Sequence, residues 1–146
     1  MEDGPGNDIN LKVACPMMKD LKRAFDTKAE KGRKKGTFYF SHSTTMMLLL
    51  NLLGVSRDRY EITHDSYGTE EAERRNFRAS LLTPMAANVA FVLFECSELS
   101  KGDKVVYKKK VVGYHNEKPI SFQGCNGIYC DWKRFKRIFK VPTTCI

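Results

Sequence analysis

His42 closes the run Thr37-Phe38-Tyr39-Phe40-Ser41 and is followed at once by Ser43-Thr44-Thr45 and an apolar block from Met46 to Leu53. Aromatic strand formers before it and unbroken apolar residues after it predict a strand-to-helix junction. There an imidazole and the free N–H groups of a helix's first turn converge, a combination suited to holding a phosphate. His64 and His115 have no such setting: one lies in a polar stretch, and the other, beside Asn116-Glu117, is read as a turn residue. Arg74, Arg75 and Arg78 carry charge that a phosphate would attract, but Glu70, Glu71 and Glu73 are close enough in sequence to make ordinary helix-surface pairs, which is the favoured reading.

The junction needs a scaffold. Residues 1–10 are polar and contain Gly4, Pro5 and Gly6, and residues 1–14 are read as a flexible segment. After Cys15-Pro16, an amphipathic helix is predicted over Met17 to Lys31, with Met17, Met18, Leu21, Ala24 and Phe25 near one face and Gly32 as its stop. The Met46–Leu53 block, with Ser43 or Thr44 as N-cap and Gly54 as terminator, predicts a helix buried all round. Glu70 to Arg78 reads as a charged helical segment. Asn88 to Cys96 is apolar without clean alternation, as expected of a central strand covered on both faces. A turn at Lys101-Gly102-Asp103 and a second strand over Lys104 to Tyr114 make an antiparallel hairpin. Asp131 is placed to cap a last helix in which Trp132, Phe135, Ile138 and Phe139 recur at helical spacing, with lysines and arginines opposite. The fold class is therefore α/β, a mixed sheet flanked by helices.

The chain has 146 residues, enough for one domain with a real core. Nine Phe, six Tyr and one Trp exclude the composition of a disordered chain. The net charge of +8 is spread over Lys31 to Lys35, Lys108 to Lys110 and Lys133 to Lys140, a surface that favours polyanions. Nucleic acid is disfavoured as the polyanion, since zinc-finger spacing, an aromatic RNA-recognition motif and a helix-turn-helix pattern are all missing. Cys125 and Cys130 bracket Asn126-Gly127-Ile128-Tyr129, a loop that a local disulfide could close. The odd count of five cysteines leaves at least one thiol over. No His/Cys cluster accompanies them, so neither a metal nor a cofactor is implied. No stretch approaches the roughly 20 apolar residues of a membrane span, and Met1 to Asp8 shows neither region of a secretory signal.

With Ser41-His42-Ser43-Thr44-Thr45 before a buried helix, and Pro84-Met85-Ala86-Ala87-Asn88 leading into the Val89–Glu95 strand, the chain resembles the C-terminal part of the histidine acid phosphatases. It is most similar to the multiple inositol polyphosphate phosphatase branch. Asn116-Glu117-Lys118-Pro119-Ile120, then Gly124-Cys125, Cys130 and Phe135, look like that family's closing strand and C-terminal disulfide loop. The resemblance covers most of residues 15 to 140 and implies that residues 15–146 are the C-terminal portion of such a domain, a partial histidine-phosphatase core. It also implies hydrolysis of inositol polyphosphates such as phytate, or of other phosphomonoesters, with His42 as the second histidine that holds the phosphoryl oxygens.

Two departures bear on that activity. The family's nucleophile sits in an Arg-His-Gly-x-Arg motif, and no arginine in this sequence precedes a His-Gly pair. The family's proton donor is an aspartate directly after the second histidine, or in the inositol-phosphate branch a glutamate two residues after it; here those positions hold Ser43 and Thr44. Asp65, Glu61 or a water are the available substitutes. The expectation is an incomplete or inactive phosphatase, with a non-catalytic binder of inositol phosphates as the alternative. Apolar surface at Met46–Leu53 and Val89–Phe94 is expected to be exposed if other parts of such a core are absent, favouring self-association. For a complete relative the resemblance implies the secretory pathway or the extracellular space.

Overall fold

The computed structural model describes residues 8–26, 36–58, 63–99 and 105–139. Helix α1 spans Asp8–Asp26 and α2 spans Ser43–Leu52; a single 3-10 turn, His64–Ser66, precedes the one-turn helices α3, Glu70–Glu73, and α4, Ala79–Leu82. Strands β1 (Val89–Leu99), β2 (Val105–His115), β3 (Lys118–Ile120) and β4 (Cys130–Asp131) and helix α5 (Trp132–Ile138) complete the order. This is the expected α/β arrangement of helices flanking a sheet.

β1 and β2 form the expected antiparallel hairpin, Val89 opposite His115 and Leu99 opposite Val105. β2 turns into β3 through Asn116 and Glu117, whose φ values of 47° and 66° make a two-residue turn of the hand that matches strand twist. The sheet order is β1-β2-β3, with β4 also pairing β2. β1 is thus an edge strand, not the central one expected from its apolar run. Its burial alternates from Val89 to Leu93, because the Val89, Phe91 and Leu93 face packs on the core while Val92 and Phe94 are 38% and 39% exposed on the other.

The core gathers under that sheet. Phe122 and Phe135 meet edge to face at 5.0 Å, and Phe135 also lies 5.6 Å from Trp132 and 4.7 Å from Phe139. Gly113 makes room: a Cβ there would lie 2.5 Å from Phe122 Cζ. α5 starts as expected, with Asp131 Oδ1 accepting from the Lys133 and Arg134 amides at 2.9 and 3.1 Å. The Cys125–Cys130 disulfide is present, Cys15 is also disulfide-bonded, and Cys96 is a free thiol.

Three elements differ from expectation. α1 begins at Asp8 and runs through Pro16 instead of starting after it. Burial of Ala14, Cys15 and Met18 against the core outweighs the backbone hydrogen bond that proline removes; the expected extension to Lys31 lies outside the described residues. The Glu70–Arg78 helix stops at Glu73. Asp58 captures the next turn, accepting from Asn76 N at 2.8 Å, Asn76 Nδ2 at 3.0 Å and Phe77 N at 3.0 Å. That redirects Phe77 into a cluster with Met47, Leu50 and Leu82. Finally, the Met46–Leu53 block is largely buried, not exposed: Met47 to Leu50 and Leu53 are all core, packed between α1 and α4.

One ion pair couples α1 to α5. Asp26 accepts from Trp132 Nε1 and from Lys136 Nζ, each at 2.9 Å. Burial pushes the Asp26 carboxyl up, but the Lys136 and Trp132 hydrogen bonds outweigh it and hold the group below the usual carboxylate range. A depressed folded pKa contributes stability above the unfolded value of about 3.9, and the contribution is lost as pH falls through the lower folded value. Trp132 is the sole tryptophan, so its emission is expected to change on acidification below about pH 4, and Asp26→Asn is expected to abolish that step. An identical acid titration in the variant would contradict the linkage.

Candidate functional site

The residues before His42 are extended but unpaired: 36–42 form no strand, and Phe38 and Phe40 are 83% and 95% exposed. The expected Thr37–Ser41 strand is therefore corrected to an open segment, since strand propensity needs a neighbouring strand to satisfy its backbone groups. Tyr39 ties it to α1 by donating its hydroxyl hydrogen bond to Asp20. That bond raises the phenol's pKa, and the same bond, joined by Arg23, holds the Asp20 carboxyl low.

His42 is the N-cap of α2, with extended φ −98° and ψ 165°, and its side chain caps nothing. Its carbonyl accepts the first intrahelical bond, from Met46 N at 3.3 Å. His42, Ser43 and Thr44 are all exposed. The imidazole, two hydroxyls and the first-turn amides thus share one helix end, where the macrodipole favours an anion. Rigidity comes from behind: Gly54, at φ 70°, ends α2 with Gly54 N bonded to Asn51 O and Val55 N to Leu50 O, both at 3.0 Å.

The other candidates are placed elsewhere. His64 Nε2 pairs with Asp65 Oδ1 at 3.0 Å on the exposed 3-10 turn, which commits the one described carboxylate named as a substitute acid; Glu61 lies outside the described residues. His115 Nε2 contacts the Leu82 carbonyl at 2.6 Å, so that nitrogen carries the proton and joins β2 to α4. Arg74 pairs with Glu70 at 2.8 Å as expected. Arg75 and Arg78 do not follow: each donates to a backbone carbonyl at the end of α3, of Ala72 and of Glu73. The carbonyls freed where α3 stops take the place of carboxylates. Of the basic runs, Lys108 and Lys110 hold Glu98 at 2.5 and 3.2 Å, and Lys31 to Lys35 lie outside the described residues. Sequence reasoning missed Asp58 and Tyr39, whose partners lie 18 and 19 residues away; no local spacing signals either.

A family model described as the histidine phosphatase superfamily, branch 2, matches residues 2–111. The chain belongs to this superfamily. Within it the relatives are of one kind. The multiple inositol polyphosphate phosphatase 1 of Dictyostelium discoideum is 39% identical over 101 residues, 69% of this chain and 15% of the relative. That of Gallus gallus is 28% identical over 143 residues, 94% of this chain and 31% of the relative. That of Homo sapiens is 26% identical over 125 residues, 82% of this chain and 25% of the relative. The chain thus spans between 15% and 31% of the length of these histidine phosphatases. No solved structure matches it. Among the described residues no helix is long and apolar enough to cross a membrane.

Proposed function

We propose that the chain supplies the phosphoryl-holding part of an inositol polyphosphate phosphatase site and that, alone, it binds phosphomonoesters without hydrolysing them. The observation that carries this reading is His42 at the uncapped N-terminus of α2, in a chain whose family hydrolyses phosphate monoesters. In this role the His42 imidazole and the first-turn amides donate to equatorial phosphoryl oxygens, where most catalytic stabilisation of phosphoryl transfer is electrostatic. Ser43 and Thr44, in place of a carboxylic acid, favour binding over turnover, because an unperturbed hydroxyl is a poor general acid. Inositol phosphates are the proposed ligands on the strength of the relatives' printed activity, and nucleic acid is disfavoured. The disulfides at Cys125–Cys130 and at Cys15 support an oxidising, secretory or extracellular setting.

The test is a titration with inositol hexakisphosphate at physiological salt. His42→Ala is expected to weaken binding about tenfold or more, the worth of one hydrogen bond to a charged group. The substitution removes no hydrogen bond within the chain, so the fold is expected to persist. Binding that ignores the substitution and fades with salt would show a diffuse charge effect and refute the site.

A further inference from the structure

β1 offers an open edge: it pairs with β2 on one side and with no strand on the other among the described residues. Its eleven residues, Val89 to Leu99, include no Lys, Arg, Pro or Gly, so the usual devices that protect a sheet edge from further pairing are missing. On the face away from the core, Val92 and Phe94 stay part-exposed and flank the free thiol of Cys96. We propose that this edge is a homodimer interface, in which β1 pairs antiparallel with β1 of a second copy about a two-fold axis at Phe94.

The register follows from symmetry and charge. A two-fold axis perpendicular to the sheet keeps each face on its own side, so the axis must fall on a residue. Centred on Phe94, the ladder uses the whole strand, Val89 opposite the partner's Leu99 and Val92 opposite the partner's Cys96. Glu95 then faces the partner's Leu93 and Glu98 faces the partner's Ala90, so no two carboxylates oppose. Centring on Glu95 would set two carboxylates directly against each other, which is destabilising. Glu98 is already neutralised by Lys108 and Lys110 of its own hairpin, which hold its carboxyl below the usual range. At the axis Phe94 meets its symmetry mate, and the two exposed apolar stripes become one. The competing occupant is a strand from another part of a histidine-phosphatase domain, since the chain spans at most 31% of the relatives compared.

Sedimentation of the purified chain over a concentration series tests the proposal. The expected result is a concentration-dependent species of about twice the 16.7 kDa chain mass. Val92→Cys under mild oxidation is expected to give a covalent dimer whose mapped link joins position 92 of one chain to Cys96 of the other. Phe94→Lys sets two ammonium groups together at the axis and is expected to return the protein to monomer; position 94 lies on the open face, and an unchanged circular dichroism spectrum verifies the fold. A monomer at every concentration, a cross-link at other positions, or a dimer indifferent to Phe94→Lys in the folded variant would each overturn the β1 interface.

Discussion

The 146-residue chain is expected to release no phosphate from inositol hexakisphosphate above a blank at any pH from acidic to neutral, and His42→Ala is expected to leave that result unchanged. Two deficits combine. Covalent phosphoryl transfer in this family needs a histidine within Arg-His-Gly-x-Arg, and none of the three histidines has that context. His64 is committed to Asp65 and His115 to the Leu82 carbonyl, so neither is poised to substitute. Loss of the positioned proton donor, with Ser43 and Thr44 in its place, costs a further ~100- to 10,000-fold on its own. Thr44→Glu restores a carboxyl at α2's exposed first turn but not the nucleophile, and is expected to leave turnover absent. Phosphate release by the purified chain that disappears in His42→Ala would refute the reading, whereas binding without release separates the holding function from the chemistry.

Phe135→Ala is expected to lower unfolding free energy by about 3–5 kcal/mol, the range for deleting a buried aromatic. Phe135 is 0% exposed and contacts Phe91, Phe122, Trp132 and Phe139 with ring centroids between 4.7 and 6.5 Å. Its removal empties the place where the sheet, α5 and the Phe122 loop meet, and the Cys125–Cys130 bridge limits collapse around the cavity. A domain's whole stability is about 5–15 kcal/mol, so the variant is expected to unfold at much lower denaturant concentration. Urea unfolding followed by far-UV circular dichroism measures this; a midpoint equal to that of the unmodified chain would show that the aromatic cluster is not the core.

α2, α5 and the β1–β2 hairpin were legible because their signals are local. Ser43 to Gly54 carries its own start, apolar body and stop; Asp131 is followed by Trp132, Phe135 and Phe139 at helical spacing; and two apolar runs separated by a Gly-containing turn pair as a hairpin. The histidine phosphatase landmarks are likewise a matter of residues in order, and the family comparison supports them. Where long-range contacts compete with local preference, the outcome was not legible. Phe38 and Phe40 have strand propensity but no partner strand. Arg75 and Arg78 sit near glutamates in sequence, yet Asp58 ends the helix that would have aligned them. Pro16 signals a boundary that burial of Cys15 and Met18 overrides.

By itself, then, the amino-acid order determined the family, the α/β class and the position of His42 at a helix start, because each depends on residue type at short spacing. Only the tertiary structure decided that β1 is an edge, that α2 is buried while the segment before it is open, and where each charged side chain finds its partner. Those outcomes depend on which surfaces exclude water and which backbone groups meet, and such contacts join residues far apart in the chain.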